Sequence, residues 1–551
     1  MGDGYFDLGT HSRPASTGSV DAQTWFDRGL VWTYAFNHEE AVRCFDRAIE
    51  ADDGFALAYW GGAYAIGPNY NKEWDAFDEP DLFRSLDRAV ELLTEVKPHL
   101  EGASPVERAL IGALSRRYQG TELPEDPTRW NDDYVEAMRD VYREYPDDLD
   151  VATLFADALM NVTPWALWDS RTGEPADGAH TVEAREVLER GMARPGGMEH
   201  PGLLHMYLHL IEMSGEPEAG LEAADRLRTL VPDAGHLLHM PSHIDVLVGD
   251  YRRVVEANSA AIAADQKYFD RVGGLNFYSL YRSHDFHFRI YGAMFLGQSQ
   301  VALESSEALV AALPPELLRI ESPPMADWLE GFVPMRMHVL IRFGMWDEIL
   351  ATPLPVDRGL YCVTTAMIRY ARGVALAATG RIEESERERE EFLAAWDAVP
   401  ETRAVFNNIC RDVLAIASSM LDGELEYRKQ NYDAAFDHLR RSIELDDNLP
   451  YDEPWGWMQP TRHAYGALLL EQGHVKEAAA AYAADLGLDE TLPRSSRHPD
   501  NVWSLHGYYE CLHKLGETEA ARVIKPRLDV AIARADAPIK ASCFCRLSAA
   551  A

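Results

Sequence analysis

This 551-residue sequence is short of cysteine and lysine and has no long apolar run. The six cysteines, Cys44, Cys362, Cys410, Cys511, Cys543 and Cys545, are scattered apart from the last two. That density excludes a scaffold built on disulfides and fits a reducing compartment. Nowhere do about 18 apolar residues run together, as a spanning helix would need. The start, Met1-Gly2-Asp3-Gly4-Tyr5-Phe6, has neither the basic nor the apolar region of a secretion signal, so a cytoplasmic protein with no membrane partner is expected. Only eight of the 52 basic residues are lysine, and 90 acidic residues outweigh them to leave a formal charge of −38. Such an excess repels phosphate backbones and anionic lipid, which excludes nucleic acid as a partner. Also missing are a Gly-rich phosphate loop of the GxxxxGK[ST] or GxGxxG type, an HExxH helix and a GxSxG elbow, so nucleotide-driven and serine-hydrolase chemistry have no footing.

What the chain does have is 47% hydrophobic and 26% charged residues, enough to bury a core. Apolar periodicity of helical type runs from Trp25 to Ala35, from Glu39 to Asp52 and from Ala56 to Ala65, with a turn at Asn37-His38. The stretch Asn37 to Asp52 resembles the second helix of a tetratricopeptide (TPR) repeat, with small residues where paired helices approach closely. Similar units recur at Gly249 to Ala264, Asn431 to Leu445, Gly473 to Ala484 and Gly516 to Ala533. The resemblance implies an all-α, TPR-like superhelix of antiparallel helix pairs, its A helices lining a concave groove. Residues 21–535 are expected to form one continuous repeat domain between an N-terminal tail, 1–20, and a C-terminal tail, 536–551, that carries Cys543-Phe544-Cys545. Longer loops are predicted at 118–133, 313–324 and 449–460 from their proline and glycine content.

Histidine is unevenly used. Eight of the 19 fall between His200 and His287, where uniform use would place about three. His205 and His209 share a helical face, which Glu212 continues; His236, His239 and His243 form a second stripe, with Pro241 expected to kink it. His239 follows His205, and His243 follows His209, by 34 residues, the TPR repeat length, so the pairs occupy equivalent places on adjacent A helices. His284 and His287 form a third pair, with Asp285 as a carboxylate able to orient an imidazole from behind.

Imidazoles presented in i,i+3 and i,i+4 pairs are metal ligands by type and spacing. His205, His209, His236, His239, His243, His284, His287 and Glu212, all within a His-rich part at 198–290, are therefore expected to hold a transition-metal ion, copper or iron ahead of zinc, with room for two ions. The function expected from this set is a metal-dependent oxidoreductase acting on a small molecule in the groove. The alternatives are a TPR scaffold binding a peptide or protein partner, which the resemblance taken alone implies, and a metal-dependent hydrolase.

Overall fold

The computed structural model describes residues 4–124, 126 and 128–546. The fold is all-α and TPR-like, with 65% of the chain helical. Among the described residues the only strands are Ala404–Val405 and Asn408–Ile409, paired as one small hairpin. None of the described helices is long and apolar enough to cross a membrane. By contacts the chain divides into two compact units, one made of Met1–Ile244 and Ala260–Gly273, the other of Asp245–Ser259 and Gly274–Ala551.

Helix starts follow local chemistry. The Ser19 side chain accepts from the Ala22 N–H at the head of Val20–Tyr34, and Asn37 from the Glu40 N–H at the head of His38–Ala51. Ser104 and Glu107 form a reciprocal capping box with Pro105 at the first helical position. The segments expected as repeat helices appear with shifts of a few residues: His38–Ala51, Ala56–Ala65, Tyr432–Asp447, Val475–Asp485 and Thr518–Arg534. The Gly249 to Ala264 unit runs further, as Tyr251–Val272. The predicted loop at 118–133 gives way to helix from Thr128; its Glu125 and Pro127 lie outside the described residues.

Close approach of paired helices rests on glycines that straddle one large ring. In the first unit the Phe45 ring sits between Gly29 and Gly61, where a methyl built on Gly29 would lie 2.7 Å from it and one on Gly61 closer still. In the second unit Tyr482 is held in the same way between Gly466, at 2.5 Å, and Gly507. Each ring replaces what two side chains would otherwise fill, so that three helices meet at one aromatic group.

Both expected tails are packed over their described residues, because their polar groups find buried partners. In the N-terminal stretch Tyr5 donates to Glu40 Oε1 at 2.7 Å and accepts from the Trp32 indole at 2.9 Å, while Arg13 pairs with Asp148 and Asp150 at 2.7 and 2.9 Å. In the C-terminal stretch Ser542 accepts from Arg342 through its carbonyl and donates to the His463 carbonyl at 3.0 Å. Cys543 and Cys545 are joined as a disulfide, and the remaining cysteines are buried thiols. Residues 547–551 lie outside the described part.

Gly61→Val should force the Phe45 ring aside and lower the stability of the first unit by about 1–3 kcal/mol, as overpacking does. Differential scanning calorimetry reads this as an earlier melting transition; an unchanged transition contradicts the role assigned to the glycine pair.

Candidate metal centre

The first histidine pair sits on Pro201–Ile211, a helix buried on every side. Its start is fixed by Pro201 and by His200, whose Nδ1 accepts from the Leu203 N–H at 3.1 Å. Gly202 lets the helix lie against Tyr34 and Thr153, both 2.8 Å from where a Cβ would stand. That approach brings His205 to the end of Val20–Tyr34, where its Nδ1–H donates to the Tyr34 carbonyl at 2.6 Å. The last carbonyls of a helix have no partner within it, and this imidazole supplies one. His236 and His239 lie on Gly235–His239 and His243 on Pro241–Leu247, the helical path being divided at Met240 just before the proline expected to kink it.

Glu212, directly after the first helix, ties the two stripes together. Its Oε1 accepts from His209 Nδ1 at 3.1 Å and its Oε2 from His243 Nδ1. A carbonyl or carboxylate oxygen can only accept here, so His205, His209 and His243 each carry a proton on Nδ1. Burial pushes the His205 ring down to about 3 and holds His209 well below its ordinary value, so both are neutral and their Nε2 atoms present lone pairs. His205 Nε2 lies 3.1 Å from His236 Nε2, and His239 Nε2 lies 2.7 Å from His243 Nε2. One nitrogen from each of His205, His209 and His236 falls within 4.8 Å of the others. The Nε2 of His209 is buried and has no hydrogen-bond partner in the described structure. An orphaned group of this kind costs about 1–3 kcal/mol.

Aromatic rings close the group over. Phe36 stacks on His209 and His236, with centroids 5.7 and 5.4 Å away, and stands 4.5 Å from His205. Tyr70 and Trp165 flank His209 at 4.9 and 5.8 Å. Phe36 and Trp165 both occupy the left-handed backbone region, at φ 55° and 57°. For a bulky residue this costs about 1–2 kcal/mol, strain that the surrounding structure has to outweigh.

Of the expected ligands, His205, His209, His236, His239, His243 and Glu212 belong to the first unit, and His284, Asp285 and His287 to the second. There the His284 ring stands 4.6 Å from Phe406 and 5.3 Å from Phe288. His287 packs against Phe332 with its Nε2 2.7 Å from Met458 Sδ, and burial lowers it to about 3.

A second group was not foreseen. Asp150 accepts from His11 at 3.2 Å, His200 at 3.0 Å, the Tyr34 hydroxyl at 2.6 Å and Arg13 at 2.9 Å. Burial pushes this carboxyl up, but the hydrogen bonds from His11 and His200 outweigh it and hold Asp150 well below the usual carboxylate range. Arg13 brings a fixed positive charge to Asp150, so the group is an ionic clamp on the N-terminal stretch. Its members lie up to 189 residues apart, from His11 to His200. Of its members only His200 falls within the stretch where histidine is over-used.

No protein-family model matches the chain, and no curated protein matches it. Solved structures do. The chain is similar at 14% identity to a chain in the crystal structure of the APC/C hetero-tetramer Cut9-Hcn1, over 89% of this chain and 76% of that one, with a TM-score of 0.31. It is similar at 12% identity to a chain in the structure of Naa15/Naa10 bound to HypK-THB, over 93% and 70%, with a TM-score of 0.21. The class that the chain's own fold defines is an all-α array of paired helices.

The metal-dependent oxidoreductase expected from the sequence, with its small-molecule substrate and its hydrolase alternative, is corrected here. The structures matched are of protein assemblies. The geometry agrees: His205 and His209, expected on the wall of an open groove, have no exposed surface. The cavity beside His205, bounded by Tyr34, Phe36, His38, Tyr64 and Asp157, holds about 10 Å³, the space of a single water and no substrate.

Asp150→Ala should cost about 1–3 kcal/mol at neutral pH, since it leaves the Tyr34 hydroxyl and His200 without their buried acceptor while Arg13 keeps Asp148. The carboxyl is depressed in the folded state, so its contribution is present above its unfolded value of about 3.9 and is lost as pH falls through the folded one. Urea unfolding of wild type and variant should therefore show a gap that narrows below about pH 4; a gap that stays constant into acid contradicts the clamp.

Proposed function

We propose that this protein is a helical-repeat scaffold that binds a polypeptide partner carrying a basic segment. The observation that carries this reading is closure: the histidine group around His205 and His209 is sealed under Phe36, Tyr70 and Trp165. What is left to meet another molecule is the outer surface of the helix pairs. That surface carries most of a 38-unit negative excess, a field that attracts cationic segments and repels anionic ones. Paired helices offer extended surfaces of the kind on which chains dock.

Selection from a phage-displayed library of random peptides tests the reading. Enriched peptides should be rich in Lys and Arg, and their binding should weaken steeply between about 0.1 and 1 M salt, as the screening length falls from about 10 to 3 Å. Enrichment of acidic peptides, or failure to enrich any, contradicts it.

A further inference from the structure

We propose that the Nε2 atoms of His205, His209 and His236 hold one divalent transition-metal ion inside the first unit, while the Tyr34 carbonyl and the Glu212 carboxylate orient His205 and His209 from their Nδ1 sides. The inference goes beyond the scaffold reading and does not depend on it.

Four observations point the same way. First, His205 and His209 each spend their Nδ1 proton on an oxygen that can only accept, which leaves the Nε2 lone pair for a ligand. Metal-bound histidines show this arrangement, in which the second nitrogen donates to a carboxylate or a backbone carbonyl. Second, His209 Nε2 is buried with no hydrogen-bond partner in the described structure, an acceptor that an ion would satisfy. Third, the spacing fits: two imidazoles bound tetrahedrally at about 2.0–2.1 Å hold their nitrogens about 3.3 Å apart, and the His205 and His236 Nε2 atoms are 3.1 Å apart. Fourth, Phe36 covers all three rings from a left-handed backbone conformation, which walls the site from water.

The donor set also selects the ion. Three imidazoles with no thiolate suit copper(II) and zinc(II), while iron(II) favours a carboxylate in the ligand set. The nearby carboxylate, Glu212, is occupied in accepting from His209 and His243, so it is an orienting group and not a ligand. The His239 and His243 Nε2 atoms, at 2.7 Å, are spaced for a shared proton, and a single ion is proposed. That ion would join Pro201–Ile211 to Gly235–His239, helices of successive repeats.

The test uses the full chain without a polyhistidine tag, stripped with a chelator and then given zinc(II) or copper(II). After gel filtration, elemental analysis should find one equivalent of at least one of the two ions, with a higher melting temperature than the stripped protein. The double variant His205→Ala/His236→Ala should lose that equivalent while keeping its far-UV circular dichroism. If it does not fold, His209→Gln serves in its place, because His209 Nε2 has no hydrogen bond to lose. Glu212→Gln should keep the site and weaken the ion's affinity by about 10–100-fold, the effect of losing an orienting partner. Wild-type protein that retains neither ion overturns the proposal, as does a folded variant that keeps the full equivalent.

Discussion

A buried imidazole has two nitrogens to satisfy, and the interior of the first unit is arranged around that requirement. Each ring taken out of water loses the hydrogen bonds that water gave it, and a neutral ring needs an acceptor for one nitrogen and a donor or an ion for the other. The Tyr34 carbonyl and the two oxygens of Glu212 meet the first half of this need for His205, His209 and His243. Everything else about the group follows from the second half. With Nδ1 protonated the lone pairs gather at Nε2, and the rings approach one another through those atoms at 3.1 and 2.7 Å. Repulsion between charged rings is avoided because burial keeps His205 and His209 neutral.

The fold supplies the precision that this arrangement requires. Helix pairs come close because glycine stands where a side chain would block them, with Phe45 and Tyr482 as the rings that fill the shared space. Gly202 does the same for the histidine helix, and without that approach His205 could not reach the Tyr34 carbonyl. The Asp150 clamp then fastens Arg13 and His11 to the same neighbourhood, where the Tyr34 hydroxyl and His200 also converge. Tyr34 thus serves both groups, its hydroxyl held by Asp150 and its carbonyl by His205. Strain at Phe36 and Trp165 is local to these rings, which is where a structure spends stability for a purpose other than folding.

Much of this could be read from the sequence, and what could not has definite causes. Helical periodicity and small residues marked the repeat helices to within a few positions, and the 34-residue relation placed the two histidine stripes on neighbouring helices. Periodicity gives the face of a helix but not its depth, so an open groove was expected where the structure has a sealed interior. The relation also paired His205 with His239, whereas the ring nitrogen nearest His205 belongs to His236, one turn earlier. Spacing set Glu212 on the face of His205 and His209 but could not show that its two oxygens accept from His209 and His243. Asp150 and Arg13 left no local signal, since their partners are brought together only by the tertiary fold.

The central claim is that His205 and His209 are neutral rings with the proton on Nδ1. Nitrogen NMR of metal-stripped protein labelled with ¹⁵N-histidine tests it most directly, with the two resonances assigned from the His205→Ala and His209→Gln variants. The account predicts that both rings show the Nδ1–H tautomer at neutral pH and stay uncharged well below the ordinary histidine value of about 6.5. Rings found as the Nε2–H tautomer, or as imidazolium at neutral pH, would contradict it.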